Sequence, residues 1–300
     1  MEGYHEPVML KECLEALRVS PDGIYVDATL GGGGHTRAIL AALGDKGKLF
    51  AFDTDEDAIT NIPDDSRCTF IHANYRHIKR YLKLYKVTEV NGILADFGVS
   101  SYQIDTAERG FSIRYDAPLD MRMNRLQTID AMEVVNTYSF EQLLRIFSEY
   151  GEVVNAKTLA RLIIESREIK AITTTGQLVE IGKKVSRGNE MRYLAKVFQA
   201  IRIEVNDEIQ GIREFLEQGT ALLSAGGRMV ILTYHSLEDR PVKQYFRNGI
   251  FGDEPEKDIY GRFTTPLLMV YKKPLEASQE EMTRNPRSRS AKLRVAEKTT

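Results

Sequence analysis

Three acidic residues each close a short apolar run: Asp27 after Ile24-Tyr25-Val26, Asp53 after Leu49-Phe50-Ala51-Phe52, and Asp96 after Gly92-Ile93-Leu94-Ala95. The four glycines Gly31 to Gly34 follow the first of them. A glycine turn entering a helix lets backbone N–H groups approach a ligand without Cβ clashes. Asp53 stands twenty residues beyond Gly33, where a carboxylate can accept hydrogen bonds from both ribose hydroxyls of an adenosine. Asp27, at the mouth of the glycine turn, would repel a pyrophosphate and suits a cationic group. The third acid opens the polar loop Asp96-Phe-Gly-Val-Ser-Ser-Tyr-Gln103, where a reacting group can sit beside that ligand. No G-x-S-x-G elbow surrounds Ser100 and Ser101, which argues against hydrolase chemistry.

The elements that must hold these acids alternate. Strands are predicted at Ile24–Val26, Leu49–Phe52, Cys68–Ile71 and Gly92–Ala95, with helical patterns through Ala38–Leu43, Ala58–Ile59 and Ile78–Tyr85. Near-continuous apolar strands between helices indicate a parallel sheet covered on both faces, and such sheets bind ligands beyond the C-terminal strand ends. The rhythm stops after Gln103. From Thr106 to about Asn206 the pattern is helical, with capping-box spacing at Ser139–Gln142 and a further helix start at Thr174–Gln177. It resumes with a helix through Ile212, Phe215 and Leu222, a turn at Gly226-Gly227 and a strand at Met229–Leu232. A helix is then expected after Pro241, with β-prone runs at Leu267–Tyr271 and Leu293–Ala296. The predicted architecture is one discontinuous α/β domain, 1–104 and 207–300, interrupted by a helical insertion, 105–206.

Composition sets bounds on partners and compartment. With 42% apolar and 28% charged residues over 300 positions, the chain has the make-up of an ordinary globular protein. Cys13 and Cys68 lack metal-ligand or disulfide-framework spacing, so no metal is expected. The charged N-terminal stretch lacks a signal peptide's apolar core, and no run is long enough to span a membrane; a cytoplasmic protein without membrane contact is expected. Net charge is −2, so polyanion binding would have to be local. Arg284, Arg287, Arg289, Lys292 and Arg294 form a basic tail segment free of acids, and the insertion adds Lys170, Lys184, Arg192 and Lys196 among others.

Dinucleotides and S-adenosylmethionine both carry adenosine, and the glycine turn alone fits either. The methyl donor is favoured because Asp27 suits its ammonium and sulfonium, and because the Asp96 loop offers room for a methyl acceptor. Several longer strings then carry a resemblance: Asp27-Ala-Thr-Leu-Gly-Gly-Gly-Gly-His35, the Asp96–Gln103 loop, Glu108-Arg-Gly-Phe111, Pro118-Leu-Asp-Met-Arg-Met123, Phe198–Asn206, His235-Ser-Leu-Glu-Asp-Arg240 and Asn285–Arg294. Together, and in this order, they resemble the MraW/RsmH family of bacterial small-subunit rRNA cytosine-N4 methyltransferases over nearly the whole chain. The resemblance implies a class I, Rossmann-like methyltransferase sheet with an inserted helical substrate domain. It implies methyl transfer from S-adenosylmethionine to the exocyclic amine of a cytidine in the decoding region of 16S ribosomal RNA, within a small-subunit particle. The family's donor-binding positions fall on Gly33, Gly34, His35, Asp53, Tyr75, Asp96 and Gln103. Tyr75 stands where a Phe is usual, Tyr102 where a Pro is common and Lys196 where an Arg is usual; Lys cannot reproduce a bidentate Arg contact.

Asp96 is the first catalytic candidate, because an acceptor beside the amine N–H localises the nitrogen lone pair and takes the proton. Donor binding is its other reading, and the two are compatible. His35 is expected in a first helical turn, donating to a donor carboxylate. His235 is a second catalytic candidate, or orders its loop through Glu238, Asp239 and Arg240. Ser100, Ser101, Lys196, Arg287, Arg289 and Arg294 are candidate RNA contacts. Two rival readings stand beside this one: a nicotinamide or flavin oxidoreductase on the same kind of sheet, and a non-catalytic RNA-binding assembly factor. The sequence does not fix the oligomeric state; a homodimer is compatible with it.

Overall fold

The computed structural model describes residues 7–252 and 265–299. The chain up to Gly98 and from Ile209 onward forms one compact unit, and Val99–Glu208 forms another. No helix among the described residues is long and apolar enough to cross a membrane.

The first unit is built on a mixed sheet. After helix α1 (Leu10–Leu17) come β1 (Ile24–Asp27), α2 (Gly34–Ala42), β2 (Lys48–Asp53), β3 (Cys68–His72), α3 (Ile78–Leu84) and β4 (Val90–Asp96). The first strand is flanked by β2 and β4, and β3 lies outside β2, all parallel. Side chains alternate between two cores. Ile93 and Ala95 of β4 face one, with Phe52, Ile78 and Leu82; Leu94 faces the other, with Tyr25, Ile39 and Leu17. Burial on both faces is why these strands read as unbroken apolar runs. The expected helix through Ala58 and Ile59 is a 3-10 turn, Glu56–Asn61, started by Asp55, whose side chain accepts from the Asp57 N–H. Helix α1 was not expected: its N-cap, Met9, is left-handed and makes no side-chain capping bond, so the usual start signal is missing.

The second unit is helical: α4 (Ser101–Asp105), α5 (Ala131–Thr137), α6 (Phe140–Glu149), α7 (Ala156–Ile169), α8 (Thr175–Val185) and α9 (Glu190–Asn206). Both expected helix starts are present as full capping boxes, Ser139 with Gln142 and Thr174 with Gln177. The helices share their own core, with Phe147, Leu159, Leu178 and Ile201 at its centre.

Helix α10 (Glu208–Leu222) leads back to the sheet and β5 (Leu223–Thr233). The pairing jumps from Val90↔Leu223 to Gly92↔Arg228, and Gly226 adopts φ 75° in the bulge between. Helix α11 (Ser236–Asn248) begins before Pro241, not after it. His235 and Glu238 close a capping box that fixes the start, and Pro241 forgoes one intrahelical N–H bond inside it. The chain ends with β6 (Leu267–Met269), β7 (Leu275–Glu276), α12 (Gln279–Arg284) and β8 (Lys292–Lys298). β8 runs antiparallel between β5 and β6, giving the order β3-β2-β1-β4-β5-β8-β6. The order reverses between β1 and β4, and at such a point open α/β sheets form a ligand crevice.

Candidate active site

Asp27, Asp53 and Asp96 close β1, β2 and β4, three neighbouring strands. Asp27 is fully buried; it accepts from the Thr36 hydroxyl at 2.6 Å and the Thr29 N–H at 3.1 Å. Asp53 accepts from the N–H groups of Gly31 at 2.8 Å and Asp55 at 2.9 Å. Asp96 accepts from the Tyr234 hydroxyl at 2.7 Å and keeps a quarter of its side chain open to solvent. Desolvation raises Asp27 and Asp53 to about 6, against the hydrogen bonds each receives. It raises Asp96 to about 7, with the Tyr234 bond opposing and the Glu238 charge adding. None of the three forms an ion pair with Lys or Arg among the described residues. Carboxylates left without cationic partners at one sheet rim favour a positively charged ligand.

His35 is in the first turn of α2 as expected, yet 5% exposed. Its Nε2 lies 3.1 Å from the Val8 carbonyl, which only accepts, so Nε2 carries the proton. Its Nδ1 faces Asp96 Oδ2 at 4.0 Å. Burial lowers its pKa, against the charge of Asp27 and the bond to Val8, and so favours the neutral ring. The ring therefore braces the crevice wall, and its one N–H is already committed to the backbone.

The glycine turn is tied from behind. Asn61 Nδ2 donates to the Gly31 carbonyl at 2.8 Å and Arg37 Nη2 to the Gly32 carbonyl at 2.6 Å. Gly33 caps α2 at φ 73°, and a Cβ there would lie 2.7 Å from the Asn61 carbonyl; at Gly34 it would lie 2.8 Å from Pro7. Protein atoms thus demand glycine at those two positions, whereas the space over Gly32 is open. Tyr75 packs on Phe97 and Phe215, with ring centroids 5.4 and 5.3 Å apart, and forms part of an aromatic wall.

The remaining candidates divide. His235 caps α11: its Nδ1 accepts from the Glu238 N–H at 3.4 Å and its Nε2 is 3.0 Å from Glu238 Oε1. That geometry matches the ordering role. Arg294 is corrected: it is 6% exposed, and its guanidinium is held by Asp239 at 2.6 and 3.0 Å. The fork is spent on a buried partner because β8 is an interior strand, so Arg294 is not a phosphate contact. Arg289 is exposed and without an ion pair among the described residues; Arg287 is half-buried on the same 3-10 turn. In the helical unit, Ser100 accepts from the Gln103 N–H at 3.2 Å while Gln103 Oε1 accepts from the Ser100 N–H at 2.9 Å, capping α4. The Ser101 hydroxyl makes no hydrogen bond among the described residues. Lys196 Nζ donates to the Glu152 carbonyl at 3.3 Å.

Tyr234 was missed by sequence reasoning. It is the first residue beyond β5, so the strand-end rule that singled out the three acids covers it too. Among the described residues, no group of three or more His, Cys, Asp or Glu side chains is arranged to hold a metal.

Comparisons with known proteins place the whole chain in one family. The MraW methylase family matches residues 2–299. Ribosomal RNA small subunit methyltransferase H from Christiangramia forsetii is 51% identical over 296 residues, covering 98% of each chain. Its namesake from Amoebophilus asiaticus is 52% identical over 299 residues, covering 99% of this chain and 96% of its own. The match runs through the helical unit as well as the sheet, and the chain belongs to the MraW methylase family.

Proposed function

We propose that this chain transfers the methyl group of S-adenosylmethionine to the exocyclic N4 amine of a cytidine in the decoding region of 16S ribosomal RNA, in the cytoplasm and on a small-subunit particle. The observation that carries the reading is the row of three desolvated, cation-free carboxylates on adjacent strand ends. It is supported by the family membership and by the relatives' shared name.

The residues present fit the donor. Asp53 spends one lone pair of each oxygen on backbone N–H groups and retains others for ribose hydroxyls. Tyr75 and Phe97 offer an aromatic face for adenine. Asp27 and Asp96 supply the negative field that a sulfonium and an ammonium require. When bound, the donor supplies an electrophilic methyl group on a positively charged sulfur.

The chain's own task is then to hold and deprotonate the amine. The Tyr234 hydroxyl fixes one oxygen of Asp96, leaving Oδ2 to accept the amine proton. A carboxylate raised to about 7 is a stronger base than an ordinary one and is still substantially ionised near neutrality. Arg287, Arg289 and Lys196 are proposed RNA contacts, and the helical unit is the proposed substrate-binding domain.

The test is to incubate the enzyme and labelled donor with small-subunit particles from a strain lacking this gene, and separately with their naked RNA. Nucleosides are then resolved by mass spectrometry. N4-methylcytidine from the particles is the expected product. Label in another nucleoside, or none from either substrate, would refute the proposal.

A further inference from the structure

The helical unit contains a groove formed wholly by its own residues, with a volume of about 630 Å³. Its walls are the loop 113–116, the end of α7 with the turn that follows, and one side of α8. That volume lies within the range of ordinary ligand pockets, about 300–1,000 Å³. The floor is apolar: Ile172 and Ile181 are buried, and Ile113 and Val179 are partly so. Tyr115, at the rim, is 43% exposed although aromatic.

The charges at this groove are unevenly satisfied. Asp116 already accepts from the Gly176 N–H at 3.0 Å, and Glu180 is paired with Lys183 at 2.8 Å. Arg114, Lys170 and Lys184 are exposed, and none forms an ion pair among the described residues. The groove therefore combines an apolar floor, a solvent-facing aromatic ring and three uncommitted cations. Unpaired nucleic acid has the complementary build: flat bases that lie on apolar and aromatic surfaces, joined by phosphates that seek cations. An acidic peptide would satisfy the cations but leave the floor and ring unused.

We propose that this groove binds an unpaired segment of the RNA substrate, with a base on Tyr115 and the apolar floor and with Arg114, Lys170 and Lys184 on the phosphates. The inference rests on the reading above that the substrate is RNA, and it assigns that substrate a second foothold, separate from the residues that handle the methyl group.

The experiment measures binding of a labelled oligouridylate, and of naked 16S RNA, to the full chain across a salt series. R114Q/K170Q/K184Q should lose about tenfold or more in affinity near physiological salt, and its log–log salt slope should fall by about 2, since each phosphate contact on a single strand contributes about 0.7. Tyr115→Ala should lose about fivefold, and Tyr115→Phe should restore it, as stacking requires. Donor affinity by calorimetry should be unchanged in every variant, which separates this effect from misfolding. A triple variant with wild-type affinity and slope overturns the proposal. So does one that binds both RNAs normally yet fails on small-subunit particles, because the groove would then hold a ribosomal protein. Failure of the catalytic reading is distinguishable: it shows in the wild-type chain as absence of N4-methylcytidine, whatever the groove variants do.

Discussion

At the strand ends of the sheet unit, Asp27, Asp53 and Asp96 are desolvated among hydroxyls and backbone N–H groups, with no arginine or lysine partner among the described residues. In the helical unit three acids each have an arginine: Asp120 with Arg122 at 2.8 Å, Glu204 with Arg145 at 2.8 Å, and Glu208 with Arg202 at 2.8 Å. Burial pushes Asp120 up, but the Arg122 hydrogen bonds outweigh it and hold the carboxyl below its ordinary value. On the surface of that unit Arg114, Lys170 and Lys184 form no ion pair among the described residues. One unit thus holds buried carboxylates without a cation, suited to a small cationic ligand, and the other carries a local group of unpaired surface cations suited to a polyanion. A carboxylate's function here is legible from whether the fold gives it a cation.

The largest test of that contrast is Asp96→Asn. It keeps an acceptor for Tyr234 and removes the charge. Single-turnover methyl transfer should slow by about 10²- to 10⁴-fold, the usual weight of a positioned base. Donor binding measured by calorimetry should weaken far less. Wild-type turnover would show that the charge at this strand end does no chemistry. The counter-case within the sheet unit is Asp239, where burial is again opposed, this time by Arg294, and the carboxyl lies below its ordinary value. Arg294→Gln leaves that buried acid without its guanidinium partner, with only the Thr233 hydroxyl at 3.5 Å and the more distant Lys292 and Lys243 charges, so denaturant unfolding should show a loss of up to about 3–5 kcal/mol. RNA affinity of the folded fraction should hold. Normal stability with weakened RNA binding would return Arg294 to the phosphate contacts.

The two residues also show what the sequence could and could not reveal. The acids at the ends of β1, β2 and β4 were legible because buried parallel strands read as apolar runs and their ends are marked by the first polar residue. The helix starts at Ser139 and Thr174 were legible because a capping box is satisfied within four residues. Arg294 was read as part of a basic tail because its partner is 55 residues away. Tyr234 was passed over because its contact with Asp96 spans 138 residues. Pairings set by sheet order leave no local trace, so the sequence marked the strand-end acids while the partners that tune them emerged only from the fold.

Tyr234→Phe tests that tuning. The lost hydroxyl is a hydrogen bond to a charged group, of the class that contributes about 1.5–3 kcal/mol, and it opposes the rise in the Asp96 pKa. Removing it should raise that pKa further and move the acid limb of the turnover profile to higher pH. Turnover at neutrality should fall about fivefold for a rise of one unit from about 7, because the ionised fraction drops from about a half to about a tenth, and should recover in alkali. An unshifted limb would make Tyr234 a packing residue only.

The smallest effect follows from all three carboxylates together, and its sign differs between the free and the donor-bound chain. Their folded values, about 6, 6 and 7, lie above the ordinary 3.8. Groups raised in this way contribute stability that is fully present below the unfolded value and lost as pH rises through the folded ones. The donor-free chain should therefore gain thermal stability as pH falls through the window from about 7 to about 6. The paired acids Asp120 and Asp239 do not oppose this, because their lowered values place their loss at more acid pH; His35, lowered by burial, offsets part of the gain, one group against three. Donor affinity should move the other way over the same window, because each proton taken up removes negative charge from the crevice that holds a cation. Calorimetric titration and thermal melts across that window read both trends in one series. Parallel trends, or a donor affinity indifferent to pH, would mean that the strand-end carboxylates are not what the cation meets.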